Sequence, residues 1–197
     1  MGNKLGKLKD YFGGDELASN VWLTKYALKD QSGKVLEETP DDMHHRIASE
    51  FARIEAKFGG KSALSEEQIF DLIKNFEYIV PQGSPMMGIG NNHVNVSLSN
   101  CVVVASPDDN ISSILDSGKS LANLFKRRCG VGLDLSELRP EGTPVNNSAG
   151  TTTGAWSFAD LYSYVCRMIG QNGRRGALMI SMDIRHPDIE KFVTMKH

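Results

Sequence analysis

The fold of this chain is decided by the stretch SNCVVVASPDDNISSILDSGKSLANLFKRRCGVGLDL, residues 99–135. Residues 94–98, just before it, alternate between apolar and polar, and the near-continuous apolar run Cys101–Val104 continues them, which is typical of a buried strand. Asp109 or Asn110 can then cap an amphipathic helix, and Val131–Leu133 has the pattern of a second strand. A strand, a helix and another strand in succession predict an α/β fold with a parallel sheet.

The same alternation continues towards the C-terminus. Residues 140–154 are rich in Pro, Gly, Ser, Thr and Asn and have no periodicity, which predicts a long loop. Ser157 is predicted to cap the next helix. A polar link rich in glycine and arginine, residues 170–176, leads to a third predicted strand over residues 177–182.

Upstream of the deciding stretch the pattern is helical. Asp15 is predicted to cap one helix, and Thr39, followed by Pro40, is predicted to cap another. Ser65 and Gln68 have the spacing of a capping box at the start of a third helix.

Composition changes at Pro81–Pro85, after which Gly, Ser, Asn and Val become common. We therefore predict a helical N-terminal region, residues 1–80, and an α/β part, residues 81–197. The net charge of −2 gives no positive field to attract nucleic acid or an anionic membrane. Because no apolar run matches a bilayer span or a signal peptide, we predict a cytoplasmic protein without nucleic-acid or membrane partners.

The three cysteines, Cys101, Cys129 and Cys166, have no CxxC spacing, which argues against structural zinc and a disulfide framework. Cys101 lies beside polar residues within its strand. It is either a small buried core residue or a redox thiol whose polar neighbours orient a ligand. His44 and His45 fall in a helical pattern and are predicted to be solvated or capping, and no metal site is predicted.

Two segments rich in glycine would let the backbone approach a ligand closely. One contains Gly130 and Gly132, and the other is Gly170–Gly176. The guanidinium of Arg139 could form paired hydrogen bonds with phosphate oxygens. Neither segment has the spacing of a Walker loop or a Rossmann fingerprint, so plain surface loops are the alternative interpretation.

Several segments together resemble the large, catalytic subunit of ribonucleotide reductases, in that family's order and from about Asp15 to the last residue. The matching segments are Tyr78–Met86, Ser99–Cys101, Arg127–Gly132, Leu138–Gly142, Gln171–Ala177 and His186–Phe192. The resemblance implies a helical N-terminal region followed by the first part of a ten-stranded α/β barrel. The family's radical-bearing cysteine and second reducing cysteine lie further along, so the missing C-terminal half is an expected partner.

The resemblance also implies a reaction. In this family a thiyl radical activates the ribose of a ribonucleotide, and two cysteines supply the electrons that convert it to a 2′-deoxyribonucleotide. Cys101 would be one of these two cysteines. Ser84 and Asn100 would hold the ribose of the substrate, and Gly130 would allow close backbone approach.

Allosteric effectors would bind through two loops. Asp109, with Asp108 as the alternative, would bind the deoxyribose of a dNTP or ATP effector, and Arg139 would bind its triphosphate. Gln171 and Arg174 would relay the identity of the effector to the substrate base.

The helices over residues 110–126 and 155–169 resemble the family's dimer interface, so we expect a homodimer, with a thioredoxin-type reductant. This segment itself is expected to hold no cofactor. If Met1 is the true start, the family's N-terminal ATP-binding cone is absent, which favours adenosylcobalamin over a metal-containing small subunit as the radical source. The alternative function is a stand-alone nucleotide-binding regulatory module or a dimerisation module without catalysis.

Overall fold

The computed structural model describes residues 2–60, 63–169 and 176–196 of the chain. These residues form two compact units, Met1–Asn100 and Cys101–His197. The first unit contains helices, and the second contains a parallel sheet with its helices. The predicted fold class, a helical region followed by a parallel α/β part, is confirmed. The assignment of residues 1–80 and 81–197 to separate parts stays a prediction.

The described helices of the first unit are α1 (Gly2–Tyr11), α2 (Glu16–Lys25), α3 (Pro40–Phe58), α4 (Glu66–Ile73) and α5 (Gly83–Gly88), with a 3-10 turn at Lys74–Phe76. The starts of α2, α3 and α4 lie where the sequence predicts, whereas α1 and α5 were not predicted. Asp15 accepts a hydrogen bond from the backbone N–H of Ala18 at 2.9 Å, and Ser65 forms the predicted capping box with Gln68. Thr39 precedes α3 as its N-cap. These side chains satisfy backbone N–H groups that have no acceptor within the helix.

The core of the first unit corrects the prediction for His44. Its buried apolar residues are Leu8, Trp22, Ala27, Met43, Ile47, Ala48, Ile69 and Ile73. His44 is fully buried with them and packs edge-on against the ring of Phe76, with ring centroids 4.7 Å apart. The prediction that His44 is solvated or capping is therefore wrong, because it shares the inner face of α3 with Met43 and Ile47. His45 is exposed.

The second unit is built on three parallel strands in the order β1 (Cys101–Val103), β2 (Gly130–Asp134) and β3 (Leu178–Ser181). The connection from β1 to β2 contains α6 (Ile111–Phe125), and the connection from β2 to β3 contains α7 (Ala155–Met168). A short helix, α8 (Ile189–Thr194), follows β3. This is the predicted alternation of strands and crossover helices.

One face of this sheet packs against helices, and no described element of the second unit covers the other, which we call the uncovered face. The packed core contains Ile114, Leu121, Phe125, Val131, Leu133, Leu135, Leu138, Ala155, Ala159 and Tyr162. On the opposite face Val103 is 86% exposed and Met179 is 74% exposed. The prediction of a buried strand is therefore correct for only one face of β1, and residues 94–98, predicted to lead into it, are not part of a strand.

The starts of α6 and α7 differ in how they are capped. Asn110 caps α6 by accepting a hydrogen bond from the N–H of Ser113 at 2.9 Å, which settles the choice between Asp109 and Asn110. The prediction that Ser157 caps the next helix is wrong. That helix, α7, begins at Ala155 after Gly154, and Ser157 lies inside its first turn. The backbone N–H of Ala155 donates instead to the carboxylate of Asp188, which is 33 residues further along the chain.

Candidate functional site

Cys101 is the first residue of β1, and its side chain is exposed. Side chains alternate between the two faces of a strand. Val102 packs towards the helices, so Cys101 lies with Val103 on the uncovered face of the sheet. The strand register pairs Cys101 with Gly130. An accessible thiol can react with a ligand or a second thiol, and the alternative of a buried core residue is wrong.

Ser84 and Asn100, the residues expected to hold the ribose, lie together in the first unit. Ser84 is fully buried in the first turn of α5. Its backbone N–H donates a hydrogen bond to Oδ1 of Asn100 at 2.7 Å. An N–H in the first turn of a helix has no acceptor within that helix, so Asn100 fixes the position of this turn.

Asp109 and Arg139, expected to bind the effector, also lie in contact, within the second unit. The guanidinium Nε of Arg139 donates to Oδ2 of Asp109 at 2.6 Å, and the backbone N–H of Arg139 donates to Oδ1 at 3.2 Å. The Arg139 guanidinium also donates to the backbone oxygen of Asp109 at 3.3 Å. These two residues come from the segments that follow β1 and β2, and the fold places them side by side.

This ion pair is accessible to a ligand. The side chains of Arg139 and Asp109 are 36% and 37% exposed, and an ion pair at such a surface contributes only up to about 1 kcal/mol. A polyphosphate can therefore compete for the guanidinium of Arg139, and the carboxylate can accept a hydrogen bond from a sugar hydroxyl. The arrangement fits an anionic ligand with a hydroxylated sugar.

Gln171 and Arg174, the residues expected to relay effector identity, lie outside the described residues. Their segment connects α7 to β3. Gly176, where the described chain resumes, packs against Cys166: a Cβ added at Gly176 would lie 2.7 Å from its Sγ.

The other two cysteines have different surroundings from Cys101. Cys129 is fully buried just before β2. Cys166 lies within α7, and burial raises the pKa of its thiol. A raised pKa lowers the fraction of reactive thiolate. Both environments fit packing rather than thiol chemistry.

The sequence reasoning missed two buried polar residues, His186 and Asp188, which it used only as the end of the resemblance. The Nε2 atom of His186 lies 2.8 Å from the backbone oxygen of Leu138. The carboxylate of Asp188 accepts hydrogen bonds from the N–H of Ala155 at 2.9 Å and from the N–H of Glu141 at 3.1 Å. The signal in the sequence was a histidine and an aspartate flanking a proline directly before a helix.

Within residues 2–60, 63–169 and 176–196, no three or more His, Cys, Asp or Glu side chains group as they would around a metal ion. Over the same part of the chain, every helix is too short or too polar to cross a membrane.

Comparison with known protein families covers almost the whole chain. Residues 12–93 match the family model described as ribonucleotide reductase, all-alpha domain. Residues 99–197 match the model described as ribonucleotide reductase, barrel domain. The two matches meet near the division between the helical unit and the sheet unit.

Individual relatives point the same way. The chain is 32% identical to the vitamin B12-dependent ribonucleoside-diphosphate reductase of Mycobacterium tuberculosis, over 91% of this chain and 25% of the relative. It is 26% identical to the protein of the same name from Thermoplasma acidophilum, over 91% of this chain and 30% of the relative. It is 28% identical to the ribonucleoside-diphosphate reductase subunit alpha of Helicobacter pylori, over 87% of this chain and 21% of the relative. The chain therefore spans about a quarter of the length of these relatives.

Proposed function

This chain belongs to the ribonucleotide reductase large-subunit family, and we propose that it forms part of an enzyme that reduces ribonucleoside di- or triphosphates to 2′-deoxyribonucleotides. The observation that supports this most directly is the exposed thiol of Cys101 on the uncovered sheet face. The relatives are named as reductases, and the family resemblance implies two cysteine thiols as the electron donors. This chain contributes Cys101, and the complete enzyme contributes the second thiol.

The proposed reaction balances with two thiols as the reductant. Cys101 and a second cysteine, supplied by the remainder of the reductase, lose two electrons and two protons in total and form a disulfide. The 2′ hydroxyl of the ribonucleotide leaves as water, and a hydrogen replaces it on the carbon. A thiyl radical on a further cysteine of the complete enzyme activates the ribose and is regenerated. Thiol oxidation suits this step because forming one S–S bond releases two electrons.

Substrate binding in this proposal involves the contacts around Ser84 and Asn100. The hydrogen bond from the Ser84 N–H to Asn100 holds the start of α5. Because the Ser84 side chain is buried, in this proposal Ser84 acts through this turn, and the N–H2 group of the Asn100 amide donates hydrogen bonds to the ribose hydroxyls. Gly130, the register partner of Cys101, has no side chain to block a ribose near the thiol.

Effector binding is proposed at Asp109 and Arg139, with Gln171 and Arg174 as relay residues. A dNTP or ATP would place its triphosphate on Arg139 and its sugar on Asp109. Because the pair is already assembled, the ligand meets residues whose positions are set before binding. Such preorganisation lowers the entropy lost on association.

For the complete enzyme we propose adenosylcobalamin as the radical source, since two of the relatives above are named as vitamin B12-dependent. A metal-containing small subunit is the alternative. We assign the cofactor no residue in this chain. The further proposed partners are a second copy of the reductase, its remaining polypeptide and a thioredoxin-type reductant in the cytoplasm.

The test of this function is complementation. The purified 197-residue chain is assayed for dNTP formation with dithiothreitol and adenosylcobalamin, alone and together with the native polypeptide that completes the reductase. We expect no turnover by the chain alone, because only one of the two reducing thiols is proposed here, and turnover by the mixture. Turnover by the chain alone would contradict the division of cysteines. Binding of dTTP without turnover in the assembled complex would support a regulatory module instead.

A further inference from the structure

We infer that His186 and Asp188 together position the effector-binding loop, by holding the backbone on both sides of Arg139. We call these two residues the loop clamp. Neither touches the proposed effector, so their role is to position Arg139 and not to bind the nucleotide. The expected effect on effector binding rests on the proposed effector site. The hydrogen bonds of the clamp do not depend on that proposal, and all of them lie within the second unit.

His186 holds the chain just before Arg139. Its ring is buried, and its Nδ1 accepts a hydrogen bond from the N–H of Asp188 at 3.0 Å. A neutral imidazole has one donor and one acceptor nitrogen. Nε2 is therefore the donor, and it bonds the carbonyl of Leu138 at 2.8 Å. That carbonyl belongs to the peptide bond that leads into Arg139.

Asp188 holds the chain just after Arg139. Its carboxylate is buried, and both of its oxygens lie 3.1 Å from the N–H of Glu141. Asp188 is the N-cap residue of α8, yet its side chain makes no capping bond there. It is directed instead to the loop and to the start of a different helix.

The same carboxylate closes the loop at its far end. Gly154, the N-cap residue of α7, has no side chain with which to cap that helix. Asp188 Oδ2 accepts the hydrogen bond from Ala155 at 2.9 Å. A negative charge at a helix N-terminus is favourable because of the helix dipole. One buried carboxylate thus joins residues 141 and 155, the two ends of the loop that follows Arg139.

Close packing around the clamp supports a fixed position. A Cβ added at Gly154 would lie 2.5 Å from Asp188 Oδ2 and 2.8 Å from the backbone nitrogen of Glu141. The side chain of Glu141 accepts a hydrogen bond from Trp156 Nε1 at 3.0 Å and pairs with Lys191. The loop ends therefore cannot shift without displacing α7 and α8.

The position of the loop backbone determines the position of the guanidinium. The backbone N–H of Arg139 and its Nε both bond the carboxylate of Asp109. If the clamp is released, the backbone at Arg139 is free to move relative to Asp109, and the two groups no longer present a fixed site to a triphosphate. We therefore expect release of the clamp to weaken effector binding, although every residue proposed to contact the effector is still present.

The experiment is a double-mutant cycle on dTTP binding to the 197-residue chain, measured by calorimetry. Asp188→Asn keeps the size of the side chain but replaces the charged acceptor, and we expect about tenfold weaker binding. Glu190→Gln is the matched control, since it alters a nearby exposed carboxylate outside the clamp, and its affinity should stay within about twofold. In an Arg139→Ala background, Asp188→Asn should cause less than about a twofold further loss, because the clamp acts through Arg139.

If Asp188 stabilised the fold without positioning Arg139, the double mutant would behave differently. The fold-losses in dTTP affinity from Asp188→Asn and Arg139→Ala would then multiply. That result, or unchanged dTTP affinity in Asp188→Asn, would overturn the inference. If Asp188→Asn does not fold, His186→Gln takes its place. Glutamine can donate its amide N–H to the Leu138 carbonyl, but its amide oxygen lies farther along the side chain than Nδ1 and does not replace Nδ1 as the acceptor for the Asp188 N–H. We therefore expect a smaller loss that again disappears in the Arg139→Ala background.

A second readout separates the clamp from the effector site. Hydrogen exchange at the amides of Glu141 and Ala155, without ligand, should be faster in Asp188→Asn than in the wild type. If the wild type binds no dTTP, the proposed effector site fails, while faster exchange still supports the clamp. Equal exchange rates would refute the clamp even if dTTP binds.

Discussion

The helical unit and the sheet unit each bury a histidine, but the two histidines differ in their hydrogen bonds. Among the described residues, neither ring nitrogen of His44 has a hydrogen-bond partner, and the nearest carboxylate, of Asp41, is 3.8 Å from Nδ1. Both ring nitrogens of His186 are hydrogen-bonded to backbone groups of the sheet unit. The contrast suggests that His44 serves packing and that His186 fixes a loop.

A second pair of buried groups shows the same contrast. Over the described part of the helical unit, the buried Trp22 Nε1 also has no hydrogen-bond partner. In the sheet unit the buried carboxylate of Asp188 accepts hydrogen bonds from two separate backbone segments. Buried polar groups that are fully bonded fix a geometry, whereas unbonded ones only fill space and reduce stability. The expected effects of substitution therefore differ between these two kinds of buried group.

The largest effect should come from the uncovered face of the sheet unit. In the assembled reductase, Cys101→Ser should reduce dNTP formation to below detection, because a hydroxyl cannot form the disulfide that supplies the electrons. Cys166→Ser is the matched control and should leave most of the activity, since burial raises the pKa of that thiol. The measurement is dNTP yield per enzyme. Activity lost in Cys166→Ser at unchanged stability, and kept in Cys101→Ser, would reverse the assignment of the redox thiol.

The next largest effect should come from Gly154, where the clamp is most tightly packed. Its backbone, with φ 90° and ψ 166°, is essentially restricted to glycine and costs other residues about 1–3 kcal/mol. Overpacking against Asp188 and Glu141 adds about 1–3 kcal/mol, so Gly154→Ala should lower the free energy of unfolding by their sum.

The control for this substitution is Gly150→Ala. Gly150 has a φ of +76°, but nothing lies within 4 Å of an added Cβ, so only the backbone strain applies. Urea unfolding followed by Trp156 fluorescence, in a Trp22→Phe background, measures both variants. Equal losses for the two alanines would mean that the clamp is not rigidly packed.

An intermediate effect is expected at Arg139. Removing one charge-assisted contact to phosphate costs about 1.5–3 kcal/mol, so Arg139→Ala should weaken dTTP binding about tenfold or more. Calorimetry with dTTP and dATP, at protein concentrations that span dimer formation, measures this. Equal affinities for the wild type and Arg139→Ala would show that the phosphates are held elsewhere.

The smallest effect should come from His44 in the helical unit, through pH. Burial lowers the pKa of His44, with opposing contributions from Asp41 and a minor one from His45 in the same direction as burial. The unfolded chain therefore binds this proton more readily than the folded chain. Stability should be highest above pH about 6.5, the ordinary histidine value, and should fall as the pH drops below it, by at most about 1.4 kcal/mol per pH unit.

The test replaces each of the two adjacent histidines. His44→Phe removes the two unbonded nitrogens but keeps a ring against Phe76, so the dependence on pH should largely disappear. His45→Gln, at an exposed position, should retain it. Urea midpoints at pH 5.5 and 7.5, followed by Trp22 fluorescence in a Trp156→Phe background, give the comparison. The same pH dependence in wild type and His44→Phe would show that another group titrates.

Much of the fold could be predicted because its determinants are local. Helix starts at Asp15, Ser65 and Asn110 depend on hydrogen bonds between residues three apart in the sequence. The strands were predicted from short apolar runs, and the order of elements followed directly. Ser157 shows the limit of this reasoning, because a good capping residue near a helix start need not be the one that caps it.

The sequence by itself determined the alternation of strands and crossover helices, the caps of α2, α3 and α4 and, through resemblance, the family and the candidate residues. The tertiary structure alone decided which of those residues meet. Arg139 contacts Asp109 across 30 residues, Asp188 bonds Ala155 across 33 residues, and His186 reaches Leu138 across 48 residues. It also decided that Cys101 lies on an uncovered face and that His44 is buried. Local periodicity specifies hydrogen bonds within a turn or strand, but contacts between distant segments depend on how the elements pack, and no pattern within one element encodes that packing.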